Sequence, residues 1–161
     1  MNEDILNNLN QNIDVGPQVI NALQCFIEND SYLLRVNANE RSLTHRIGMY
    51  LQAEFSNYHV DCEYNRDDHE PKELYIGTED TDVYDDNAMT VYPDIIVHRR
   101  GSNDHNLLVI EFKKTSSRVN SNKDIVKLNA YKRDLNYTHA LFIELGTTHP
   151  FDSSVTEVRW I

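Results

Sequence analysis

Residues 90–113 read TVYPDIIVHRRGSNDHNLLVIEFK, and the fold is decided there. Two apolar runs, Thr90–His98 and Asn106–Lys113, are joined by Arg99-Arg100-Gly101-Ser102-Asn103-Asp104-His105, a stretch rich in turn formers. The pattern predicts a β-hairpin. Side chains alternate along a strand, so Glu111 and Lys113 share one side, and Leu108, Ile110 and Phe112 share the other. In an antiparallel hairpin the start of one strand lies beside the end of its partner. Asp94 is therefore expected beside Glu111 and Lys113, at the end away from the turn.

Working outward, residues 122–135 carry Ile125, Leu128, Tyr131 and Leu135 on one helical face. Ala140–Leu145 reads as a buried strand stopped by Gly146, and Ser154–Ile161 as a final strand. Upstream, Leu43, Ile47, Leu51 and Phe55 recur every four residues and predict an amphipathic helix over 40–55, with Asn37 or Asn39 as its N-cap. Glu40 falls in the first turn of that helix, on the side of Leu43 and Ile47, an odd place for a carboxylate without a task. Residues 1–29 read as two short helices, the second starting after Gly16-Pro17 and ending at Asn29-Asp30-Ser31. Tyr32–Val36 is an apolar stretch of open type, and Tyr58–Tyr64 alternates as a strand. Residues 65–90 are strongly acidic and read as a surface excursion, with a short strand near Leu74-Tyr75-Ile76. The order α-α-α-β-β-β-α-β-β defines a mixed α/β domain.

The 161 residues suit one domain, and 40% hydrophobic with 25% charged residues suit a globular one. No apolar run is long enough for a transmembrane helix, and the start, MNEDILNNLNQN, lacks the basic and apolar regions of a secretory signal. Cys25 and Cys62 alone make neither a disulfide framework nor a four-ligand zinc site. A reduced, cytoplasmic protein away from membranes is expected. The net charge of −11 argues at first against a nucleic-acid partner. Residues 98–133 nevertheless hold nine Lys or Arg against three acids, a local +6 on a remainder of −17. Gathered on one face, they would form a basic patch on an acidic body.

Two carboxylates, Asp94 and Glu111, and the Lys113 ammonium thus converge among Ile and Val. Burying like charges together is costly, and a cation is the usual remedy. Carboxylate oxygens suit Mg²⁺, which keeps waters and takes substrate phosphates as further ligands. Such an ion polarises a phosphodiester and activates water, Lys113 stabilises developing negative charge, and Glu40 stands as a third acid.

Pro93-Asp94 followed by Glu111-Phe112-Lys113 on the next strand resembles the PD-(D/E)XK pattern of the restriction-endonuclease-like superfamily. The separation of 17 positions fits one hairpin, a Glu-bearing helix precedes it, and a helix and a strand follow. The resemblance covers roughly residues 37–145, and closer up the chain looks like small bacterial or phage members of this type. It implies an α/β fold with a restriction-endonuclease-like core: a central mixed β-sheet flanked by helices. Residues 1–161 then form one nuclease-like domain, with a helical extension over 1–36, the core over 37–145 and a C-terminal strand within 146–161. It also implies a Mg²⁺- or Mn²⁺-dependent phosphodiesterase acting on DNA. Asp94 and Glu111 would be metal ligands with the Phe112 carbonyl nearby, Lys113 the catalytic lysine and Glu40 the auxiliary acid. Lys127 matches a polar position on the following helix, and Lys114, Arg118, Lys123 and Lys127 are the expected contacts to the nucleic-acid backbone. Two features depart from the family pattern: the acidic excursion just before the Pro-Asp strand, and the acidity of the body.

Three other readings stay open. The chain is a non-catalytic protein that keeps the fold to bind DNA or a protein, with the acidic 65–90 region as docking face. It is one subunit of a larger restriction or defence complex. It forms a homodimer. Seven histidines show no HExxH, and His98 follows the first hairpin strand close to the acids. The acidic run 79–86 lacks calcium-loop spacing, and GxGxxG, GxxxxGK and GxSxG motifs are absent.

Overall fold

The N-terminal third is helical because each helix has an apolar stripe to bury, and the first and third are capped by asparagine side chains. In the computed structural model, which describes residues 1–64, 66–67, 70–71, 73–74, 89–90, 92–147 and 155–161, α1 spans Glu3–Asn10. The Asn2 side chain accepts from the Ile5 N–H at 2.9 Å, and Glu3 and Asp4 suit the positive end of the helix dipole. α2 spans Gly16–Arg35, with Pro17 in its first turn. A Cβ on Gly16 would stand 2.2 Å from the Leu9 carbonyl oxygen, so only glycine lets α1 and α2 meet this closely.

α2 does not stop at Asn29-Asp30-Ser31. It runs on through the open stretch to Arg35, because Asp30 is held from the next helix by Arg46 at 2.8 Å and by the Tyr50 hydroxyl at 2.7 Å. Leu34 is fully buried, and these tertiary contacts outweigh weak local propensity. Asn37 then takes a left-handed conformation (φ 49°), and the Ala38 and Asn37 N–H groups bond back to the Leu33 and Leu34 carbonyls, a Schellman ending. Of the two cap candidates, Asn39 caps α3 (Glu40–Glu54), its side chain accepting from the Ser42 N–H at 2.8 Å.

The strands are β1 (His59–Cys62), four two-residue pieces β2 (Arg66–Asp67), β3 (Glu70–Pro71), β4 (Glu73–Leu74) and β5 (Met89–Thr90), then β6 (Ile95–His98), β7 (Leu108–Lys114), β8 (His139–Leu145) and β9 (Val155–Trp160). α4 covers Asn122–Leu135, between β7 and β8. β2 pairs with β3 and β4 with β5 inside the acidic excursion. Most of that excursion, including Tyr75 and Ile76 of the expected short strand, lies outside the described residues.

The main sheet runs in the order β1-β6-β7-β8-β9. Every neighbour is antiparallel except β7 and β8, which are parallel and need α4 as crossover. The architecture is therefore α/β, a five-stranded mixed sheet flanked by helices. Alternation divides the core. Ile95, Val97, Leu108, Ile110, Phe112, Leu141 and Ile143 face α1–α3, while Ile96, Val109, Ala140 and Phe142 face α4 through Leu128, Tyr131 and Leu135. The first helices are built into the larger core: the Trp160 indole donates to the Asn8 carbonyl and the Asn8 amide to the Val158 carbonyl, each at 3.1 Å. Among the described residues no helix is long and apolar enough to cross a membrane.

Candidate functional site

Four segments meet toward the end of β7: the residue before β6, the second half of β7, the first two turns of α4 and the start of α3. Ile95 pairs with Ile110, so Asp94 lies one step further along, level with Glu111. There the ladder stops and a side chain takes over. The Phe112 N–H donates to Asp94 Oδ2 at 2.7 Å, which satisfies a strand donor and fixes the carboxylate. The phenyl ring of Phe112 faces the larger core, so this residue meets the site through its peptide group.

Glu111 is 2% exposed on the α4 side. Its Oε2 lies 3.4 Å from Lys127 Nζ, and its Oε1 has no hydrogen-bond partner among the described residues. Burial, reinforced by the Asp94 charge, pushes the Glu111 carboxyl well above the usual range. Burial likewise raises Asp94 to about 7, against the lowering effect of the Phe112 N–H. Glu40, half-buried, is raised by burial, while the Lys113 and Lys114 ammoniums pull it the other way. Burial works to lower Lys127, but the carboxylates of Glu111, Asp94 and Asp124 outweigh it and hold the amine above its ordinary value.

The structure thus brings together Glu40, Asp94, Glu111, Lys113 and Lys127. Lys113 Nζ pairs with Asp124 Oδ2 at 2.8 Å. Asp124 is the residue that reading the sequence for function missed. Asp124, Lys127 and Tyr131 recur at i, i+3 and i+7, one helical face, and that spacing was the available signal. Tyr131 is fully buried as its apolar stripe predicts, yet its hydroxyl has no hydrogen-bond partner among the described residues. Burial and the Glu111 charge keep that phenol protonated.

Other expectations need correction. Lys114 does not reach outward for a backbone phosphate. Its Nζ donates to Asn37 Oδ1 at 3.0 Å and to the Ala38 carbonyl at 2.8 Å, stitching β7 to the turn before α3. The basic window does not form one patch either. Arg100 pairs with Asp61, Arg99 lies over the Tyr58 ring, Lys132 donates to the Ile161 carbonyl and Arg133 pairs with Asp134. Arg118 and Lys123 are exposed around the start of α4. His98 ends β6 far from Asp94, its Nε2 on Asp61 at 2.9 Å. A cavity of about 400 Å³ lined by Gln11–Asp14, His139 and Trp160 lies at the opposite end of the sheet from the acids.

Fold and cluster together define an α/β protein with buried acids and amines at one end of a mixed sheet. No family model, curated protein or solved structure matches the chain. Four carboxylates, Glu40, Asp94, Glu111 and Asp124, stand against two ammoniums in this region, Lys113 on Asp124 and Lys127 on Glu111, an excess of negative charge that suits a cation. The donors are hard oxygens, and the partnerless Glu111 Oε1 is the atom best placed to serve as a ligand. Among the described residues no three His, Cys, Asp or Glu side chains stand close enough together to hold a metal ion, so a cation here would rest on the Asp94 and Glu111 pair with water or substrate oxygens.

Proposed function

We propose that the chain is a metal-dependent nuclease with a restriction-endonuclease-like core, hydrolysing phosphodiester bonds of DNA. The observation that carries the reading is the Glu111 carboxylate: 2% exposed, one oxygen without a partner among the described residues, set level with Asp94. A buried acid pair of this kind is costly unless a cation or a proton joins it. The Pro93-Asp94 and Glu111-Phe112-Lys113 pattern supports the same reading.

Asp94 and Glu111 would hold Mg²⁺ or Mn²⁺, with Glu40 as third acid and the Phe112 carbonyl as a further oxygen. When bound, the ion neutralises phosphate charge and makes a water more acidic. The Lys113 ammonium, fixed at 2.8 Å by Asp124, stabilises negative charge developing on the phosphoryl group. Lys127 offsets part of the Glu111 charge. Arg118 and Lys123, exposed nearby in sequence, meet the DNA backbone.

The test pairs two assays on purified protein. Wild type is expected to nick or cut DNA with Mg²⁺ and to give a Mn²⁺ binding isotherm by calorimetry. Glu111→Ala loses both, and Lys113→Ala loses cleavage. Equal cleavage by wild type and Lys113→Ala sinks the mechanism. A silent Mn²⁺ titration with DNA still bound makes the chain a non-catalytic binding protein instead.

A further inference from the structure

The two amines of the cluster are held in different ways. Lys127 lies against Glu111, an acid of the sheet. Lys113 follows Glu111 by two residues on the same side of β7, yet its amine turns to the helix, 2.8 Å from Asp124 Oδ2. Both side chains of that pair are nearly out of solvent, 11% and 14% exposed. The Lys113 charge also acts on Glu40, and the Asp124 charge acts on Glu40, Asp94 and Glu111. The amine thus has two possible homes, the α4 acid or the acids of the site. A lysine stem has four rotatable carbons and swings between such positions, whereas Asp124 is short and set in the first turn of a helix, where the dipole favours a carboxylate.

We infer that Asp124 is a positioning residue that holds the Lys113 ammonium away from Asp94 and Glu111 and so leaves those acids open to a divalent cation. The inference rests on the metal-centre reading above. An ammonium lying on the same carboxylates is an internal competitor for the ion, and at short range in a partly buried site the competition is strong. Asp124 supplies the amine with a partner of its own. The same contact keeps the amine beside the acids rather than in solvent, where a lysine that stabilises phosphoryl charge has to be.

The test uses Asp124→Asn, Asp124→Glu, Lys113→Gln and the double variant Asp124→Asn/Lys113→Gln. Mn²⁺ alone is the calorimetric probe. Asp124→Asn is expected to weaken Mn²⁺ binding about tenfold or more, the range usual for a residue that orients a metal site from outside. Adding Lys113→Gln removes the displaced amine and returns the affinity to near wild type. Asp124→Glu keeps it. A purely structural role predicts the opposite, since a second substitution would not repair a damaged fold. Without metal, urea unfolding of the same four proteins and wild type is expected to show non-additive effects for the Asp124 and Lys113 changes. With wild type binding, unchanged Mn²⁺ affinity in Asp124→Asn overturns the inference alone. So does a loss that Lys113→Gln fails to repair. No Mn²⁺ heat from wild type overturns the metal-centre reading and this inference with it.

Discussion

Asp94→Asn removes a charge and keeps the shape. The amide oxygen still accepts from the Phe112 N–H, which Asp94 now takes at 2.7 Å. In the metal-free protein the Asp94 carboxyl is raised from 3.8 to about 7, mainly by burial. Between those values the folded chain keeps a proton that the unfolded chain has released. Stability from this group is full below about pH 4 and is lost as the pH rises through about 7. A shift of about three units at about 1.4 kcal/mol each sets a ceiling near 4 kcal/mol. Water reaches this part-buried side chain, which brings the expected effect down to about 2 kcal/mol. Urea unfolding at pH 5 and pH 8 with a chelator present reads it directly. Wild type should lose about 2 kcal/mol more than Asp94→Asn over that interval, and at pH 8 the variant should be the more stable protein. His139, whose pKa burial depresses, works in the opposite sense but is common to both proteins and cancels in the difference. Adding Mn²⁺ should stabilise wild type and leave the variant unmoved. A variant that tracks wild type across the pH range would refute the buried-charge argument.

Gly16→Ala should cost about 2 kcal/mol or more, because the new Cβ would meet backbone, the Leu9 carbonyl oxygen at 2.2 Å, rather than a side chain that can swing aside. An unchanged urea midpoint would mean that the helices do not meet so closely. Asp61 is desolvated, but His98 and Arg100 outweigh that and hold its carboxyl below the usual range. Its contribution is present above about pH 4 and lost on further acidification, so Asp61→Asn should lower stability at pH 7 by about 2 kcal/mol and flatten the acid-unfolding curve below pH 4. Circular dichroism against pH decides it, and a curve parallel to wild type would show that the pair contributes nothing.

The hairpin was legible because strand alternation is a strict rule: once Glu111 and Lys113 share a side, the antiparallel return sets Asp94 level with them. The helix over 122–135 was legible for the same kind of reason, a stripe at helical spacing. What escaped depends on contacts between distant segments. Lys113 finds Asp124 only because α4 crosses back over the sheet. Lys114 is captured by the turn around Asn37, whose left-handed conformation no periodicity announces. α2 outlives its apparent stop because Asp30 is gripped from α3. The basic window dissolved because most of its cations found partners inside the fold, and a sum of formal charges does not show that.

Among the described residues, three helices insulate one side of the sheet and one lies on the other. The cheapest excursion from the native state is therefore the lifting of α4 as a foldon, and backbone amides of 122–135 should trade hydrogen for deuterium ahead of those in α2. Such an excursion carries off Lys127 and Asp124 in one movement while Glu111 and Asp94 stay behind on the strands. Loosening of that helix and exposure of the carboxylates are then a single event.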